Sequence, residues 1–186
     1  MDTIKKSING YNVEAIEATV AAITNNPKIA TFQFRATNEW ISGAHNRSTI
    51  KDLYGACQED TSRKKPFVLD TGMPPVLLGE NKAANPAEIL LHSLLGCMTT
   101  TMMLNSSARG FEVTAVSSKV EADIDLQGTL GLDENVPEEF SQLNIHFNIE
   151  GDLTEQEKKE MISFAKKSPV YNALINPVSV GVSLDA

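Results

Sequence analysis

The segment LLHSLLGCMTTTMML, residues 90–104, places one thiol, Cys97, within a run that has no charged side chain from Ile89 to Ala108. A cysteine does nucleophilic and redox chemistry as its thiolate, whereas a buried unpaired cysteine behaves as a small hydrophobe. Its immediate setting bears on both readings. Gly96 costs a helix about 1 kcal/mol relative to alanine, a cost usually accepted where another backbone or a ligand must come close. Thr101 lies one helical turn beyond Cys97, where its hydroxyl can reach either the helix backbone or a thiolate. His92 falls about 140° around a helix from Cys97, so it does not share that face. Its simpler partner is Glu88, one turn back. On these residues alone the thiol is either reactive or filler.

The remaining candidates narrow the chemistry. Cys57 and Cys97 are too few for a disulfide scaffold, and in a reducing compartment such thiols are reduced, catalytic or buried. A bridge between them requires Cα atoms within about 7 Å, which leaves Cys57 as a candidate second thiol or an ordinary strand-end cysteine. His45, His92 and His146 are scattered, with no close Cys or His pair at ligand spacing, so no metal site is expected. Sixteen basic against twenty-four acidic residues give a net charge of −8, which argues against nucleic acid or an anionic membrane surface as partner. The opening MDTIKKSINGYNVEA lacks the apolar core of a secretory signal, so a cytoplasmic location is expected. No bound cofactor is expected.

These groups need elements to hold them. The chain has 186 residues, 41% hydrophobic, a length that suits one domain of about 100 to 200 residues. Val13, Ile16, Val20 and Ile23 recur at helical spacing, predicting an amphipathic helix over 12–25 that Asn25, Asn26 and Pro27 end. Residues 30–40 and 48–54 read as two strands joined at SGAHN, and residues 65–70 and 75–79 as further short strands. Asn85, Pro86 and Glu88 carry the signature of a capped helix start, with Arg109 and Gly110 closing a rod of about 36 Å. Its apolar residues go all round, so it must be surrounded, and one domain of this size hardly covers it twice. A partner chain is expected. Alternation predicts a strand with Val120, Ala122, Ile124 and Leu126 inward, and a second, antiparallel one with Leu143, Ile145, Phe147 and Ile149 inward and His146 outward. Thr154 and Glu157 form a capping box for a helix ending near Lys167, Ser168 and Pro169 start a new helical turn, and residues 177–184 read as a last strand.

The stretch NPAEILLHSLLGCMTTTMMLNSSARGFEV, with EADIDLQGTLGLDE and KKSPVYNALINPVSV after it, resembles the family of osmotically inducible protein C and organic hydroperoxide resistance protein. Coverage runs from about Phe32 to the end. ISGAHNRSTI, followed by FVLDTGMPPVLLGENKAANP, is similar to a branch with an extra N-terminal helix, which makes residues 1–27 a helical extension of a single domain, 1–186. The resemblance implies an α+β fold in which antiparallel sheets wrap a long central apolar helix in an intertwined homodimer. It implies that Cys97 attacks a hydroperoxide as a thiolate, and that Arg47, in the turn between the first two strands, holds that thiolate. A second cysteine would then close a disulfide, but Ser168 stands at that position, and a serine cannot resolve a sulfenic acid. The carboxylate that follows Asn-Pro in the peroxidases is Ala87 here, and Glu88 comes one residue later, where a helix cap is its simplest role.

Two functions follow from the resemblance. One is reduction of organic hydroperoxides through Cys97 with an external thiol or dithiol as reductant. The other is a dimeric protein that binds a small apolar molecule without peroxidase turnover.

Overall fold

A computed structural model describes residues 7–184, so residues 1–6 of the expected extension and residues 185–186 lie outside the described residues. In chain order the elements are β1 (Ser7–Ile8), β2 (Tyr11–Asn12), α1 (Val13–Asn25), a 3-10 turn at Pro27–Ala30, β3 (Thr37–Ser42), β4 (His45–Ile50), β5 (Leu53–Gly55), β6 (Gln58–Asp60) and β7 (Phe67–Thr71). A 3-10 turn at Pro75–Leu77 leads to α2 (Pro86–Ala108), β8 (Ala115–Asp123), α3 (Leu126–Thr129), β9 (Gln142–Glu150), α4 (Glu155–Ala165) and α5 (Pro169–Ile175). The class is α+β with small sheets. The described residues form two compact units, one of residues 12–92 and the other of residues 7–11 and 93–184.

In the first unit, α1 begins where the Asn12 side chain accepts a hydrogen bond from the Ala15 amide, and its apolar stripe is buried only at Val13. β4 is the middle strand of an antiparallel sheet ordered β3-β4-β7. The expected hairpin forms at residues 43–44, its first strand starting later than expected, at Thr37, and its second earlier, at His45. β5 and β6 make a separate hairpin whose two turn residues, Ala56 and Cys57, have φ of 49° and 65°. Two consecutive positive φ values are the geometry that Asn-Gly adopts without strain, and a Cβ makes it unfavourable.

The expected strand over 75–79 is instead the 3-10 turn followed by Leu78 in the left-handed region. Pro74 and Pro75 lack the amide donors that a strand ladder needs, and their fixed φ suits a turn.

In the second unit, β8 pairs with β9 over nine residues, Ala115↔Glu150 to Asp123↔Gln142. Alternate residues are turned inward: Val116, Val120 and Ala122 on β8, with Leu143, Ile145, Phe147 and Ile149 on β9. The strand ends before the expected Ile124 and Leu126, because the Asp125 carboxylate accepts from the Gln127 amide and caps α3. Against this sheet face lie Leu94, Met98 and Met102 of α2 with Met161 and Ala165 of α4, forming one buried cluster. The predicted capping box opens α4: Thr154 Oγ1 accepts from the Glu157 amide and the Glu157 carboxylate accepts from the Thr154 amide. Residues 177–184 form no strand. The alternation is present, but Val182 and Leu184 are 93% and 97% exposed, and a strand requires a neighbouring backbone to pair with.

The β5–β6 turn yields a stability prediction. Replacing Ala56 by Asn and Cys57 by Gly should raise the unfolding free energy by about 1 kcal/mol in urea titrations. An unchanged or lower midpoint would show that the turn carries no strain.

Candidate functional site

Cys97 lies in the middle of α2, in the second unit, as a free, half-buried thiol. The helix buries one stripe, Leu94, Met98, Met102 and Ser106, at four-residue spacing. The exposed side runs through Ser93, Gly96, Thr100 and Leu104. Cys97 and Thr101 sit on the border between the two, half-buried in both cases. A cysteine on this border is neither sealed in the core nor free in solvent. Among the described residues, none makes a hydrogen bond or ion pair with its sulfur. A Cβ added at Gly96 meets nothing within 4 Å, so the described chain gives no packing reason for the glycine.

Ser168, in the same unit, is fully buried and caps α5, its Oγ accepting from the Tyr171 amide at 3.2 Å. A thiol is a weak acceptor by comparison, so the serine has a structural role of its own at this position.

Glu88, in the first unit, takes the cap role read from the sequence. Its carboxylate accepts from the Asn85 amide at 2.8 Å while Asn85 Oδ1 accepts from the Glu88 amide at 2.8 Å. Cys57 is exposed at the strained turn. Arg47 is the third residue of β4, three residues past the turn in which it was expected. Its partner is Asp70, directly opposite on β7. Nε donates to Oδ1 at 2.7 Å and Nη2 to Oδ2 at 2.9 Å. His45, two residues along β4 and therefore on the same face, brings Nε2 to 3.3 Å from Asp70 Oδ2 without hydrogen-bond alignment. A cleft of about 60 Å³ beside it is lined by Ser42, His45, Met73, Glu80 and Lys82.

The paired guanidinium, aided by the imidazole, holds the Asp70 carboxyl down at about 2. Asp70 was missed in the sequence. Its only signal is an opposite charge on another strand, and recognising that signal needs the β4–β7 register, which the intervening β5–β6 hairpin hides. Arg47, Cys57 and Glu88 thus belong to one unit and Cys97 and Ser168 to the other.

The Asp70 shift makes an acid-side prediction. A carboxyl whose folded pKa is about 2, below its ordinary 3.8, stabilises the fold fully above about pH 4 and ceases to do so as pH falls through about 2. Between those limits the parent's thermal midpoint should fall more steeply than that of Asp70→Asn. Parallel curves would remove the clamp from the account.

Comparison with known proteins places this geometry. No curated protein matches the chain. Solved structures with the same fold include a putative osmotic stress induced and detoxification response protein from Psychrobacter arcticus, 14% identical, TM-score 0.57, covering 76% of this chain and 88% of that one. An OsmC like protein from Mycoplasma pneumoniae is 20% identical, TM-score 0.56, covering 77% and 87%. An organic hydroperoxide resistance protein OsmC from Legionella pneumophila is 20% identical, TM-score 0.53, covering 78% and 90%. The family model described as OsmC-like protein matches residues 79–183, more than half of the sequence, from the approach to α2 through Cys97 and Ser168. The chain belongs to the OsmC-like protein family.

Proposed function

We propose that the protein is a thiol-dependent reductase of organic hydroperoxides that works through Cys97. The observation that carries this is the position of the thiol: on the family's matched segment, mid-helix, at the border between the buried and exposed sides of α2. The Cys97 thiolate attacks the distal peroxide oxygen, the O–O bond breaks, and the alkoxide leaves as alcohol after taking a proton, with cysteine sulfenic acid as the oxidised product. Ser168 offers no resolving thiol. An external thiol therefore condenses with the sulfenic acid, releasing water, and a second thiol equivalent, or the other half of a dithiol, frees Cys97 by exchange. Arg47 is assigned to the thiolate and the peroxide by the family resemblance, in keeping with the electropositive setting that reactive cysteines need. A reducing cytoplasm suits this cycle, with no nucleic acid or membrane as partner.

The second reading, a dimeric binding protein for a small apolar ligand, is favoured by one observation. Ser168, which the family resemblance sets at the resolving position, serves as the buried cap of α5. Both readings share a homodimer, which the bare side of α2 supports: Ser93, Gly96 and Thr100 are small and exposed, and the glycine's helix cost of about 1 kcal/mol has no local compensation.

Reduced protein should consume cumene hydroperoxide stoichiometrically, and Cys97→Ser should consume none; equal consumption by both would exclude Cys97 chemistry. Alkylation rate against pH separates the two readings, since a thiol pKa well below about 8.5 belongs to the reductase. For the dimer, Gly96→Ala is informative because it acts in opposite directions. In an unpartnered helix it stabilises by about 1 kcal/mol; against a second helix it weakens association. A shift from dimer to monomer in sedimentation is the expected result, and a monomeric parent at micromolar concentration would defeat the dimer.

A further inference from the structure

Asn9 is the one asparagine of the sequence that is followed by glycine, and the pair makes the two-residue turn between β1 and β2. Their φ values, 50° and 82°, are those of the type I′ turn that Asn-Gly favours. The Asn9 side chain is held by the end of α2 and the residues after it. Nδ2 donates to Ser107 Oγ at 3.1 Å and to the Phe111 carbonyl at 2.8 Å, while Oδ1 accepts from the Val113 amide at 2.9 Å. All of these residues belong to the second unit. Ser107 Oγ donates its own hydrogen to the Met103 carbonyl at 2.7 Å, so toward Asn9 it acts as acceptor. Two acceptors and one donor therefore meet Asn9, a set that matches a carboxamide and mismatches a carboxylate.

The two strands of this hairpin have two residues each, and so short a hairpin is marginal by itself. Burial of Ile8 and the three Asn9 bonds dock it, which places its opening among the local fluctuations of low free energy. Glycine, lacking a Cβ, leaves its own amide nitrogen unobstructed as a nucleophile toward the preceding asparagine. We propose that Asn9–Gly10 is a deamidation site guarded by this clasp, so that reaction follows opening of the hairpin and its product no longer docks. The Gly10 nitrogen attacks Asn9 Cγ and gives up its proton to solvent; Nδ2 takes a proton and leaves as ammonia, and the new C–N bond closes a cyclic imide. Water then opens the ring at either carbonyl, giving aspartate or isoaspartate. The balance is water in and ammonia out, with no change of oxidation state. Aspartate lacks the N–H donors that face Ser107 and Phe111, and it sets an oxygen against the Phe111 carbonyl. Isoaspartate also lengthens the main chain within a two-residue turn. Docking of the N-terminal hairpin thus carries a one-way chemical switch, independent of the chemistry at Cys97.

The test incubates the full chain at mildly alkaline pH, folded and in urea, and follows Asn9 by peptide mapping that separates asparagine, aspartate and isoaspartate. Conversion should be about tenfold or more faster in urea than in the folded parent, as protection by a docked element requires. Ser107→Ala, with the circular dichroism of the parent, should convert about fivefold faster than the parent when folded, the equivalent of one hydrogen bond of about 1 kcal/mol. Hydrogen exchange of the amides in residues 7–12 should be faster in Asn9→Asp than in the parent. Equal conversion in urea and in the folded parent overturns the proposal, as does a folded parent whose Asn9 never converts. Parent-like exchange over residues 7–12 in Asn9→Asp overturns it as well, since the product would then dock as the amide does.

Discussion

The constraint on which the rest depends is a 23-residue helix, α2, that its own chain covers on one stripe. Leu94, Met98 and Met102 take the inner face of the β8–β9 sheet and the buried side of α4, and this single contact organises the second unit. Apolar area removed from water stabilises by roughly 25 cal/mol per Å², so three large side chains at four-residue spacing outweigh the weak helix propensities of Gly96 and the three threonines that follow Cys97. The opposite side leaves Ser93, Gly96, Thr100 and Leu104 exposed among the described residues. That asymmetry determines where a thiol can work. On the buried stripe it would be inert, on the bare side unprotected, and Cys97 lies between.

The first unit is organised by charge across a sheet instead. β4 is central, so its residues 46–49 meet a neighbour on both sides, and Arg47 meets a carboxylate on each. An exposed ion pair contributes little to stability. The benefit of such a pair is geometric: a planar group with two fixed bonds has a known orientation, and a flexible side chain becomes a placed one.

What could be read from the sequence divides along the range of the interactions. Caps act over three residues, so Asn85 with Glu88, Thr154 with Glu157, and Ser168 ahead of Pro169 were all legible, and the helices they open are present. Strand alternation was legible in β8 and β9 because one face is turned to the core. It failed at Ile124 and Leu126, where a local cap at Asp125 won over the pattern, and the short strand read over 75–79 gave way to a turn because successive prolines favour one. At 177–184 the pattern is strand-like and the single chain supplies no partner backbone. Asp70 was invisible for a related reason. Its relation to Arg47 exists only through register, and no local signal encodes which residues of two separated strands stand opposite one another.

Ser168 shows what one buried hydroxyl does for a helix start. As an N-cap it satisfies the Tyr171 amide in a fully buried site, where an unsatisfied donor would cost about 1 to 3 kcal/mol. A cysteine there would be a poorer acceptor, so a resolving thiol and a good cap are in conflict at this position. The chain has the cap, and a hydroxyl cannot resolve a sulfenic acid, so the reductase proposed above would need for the oxidised Cys97 a thiol other than residue 168.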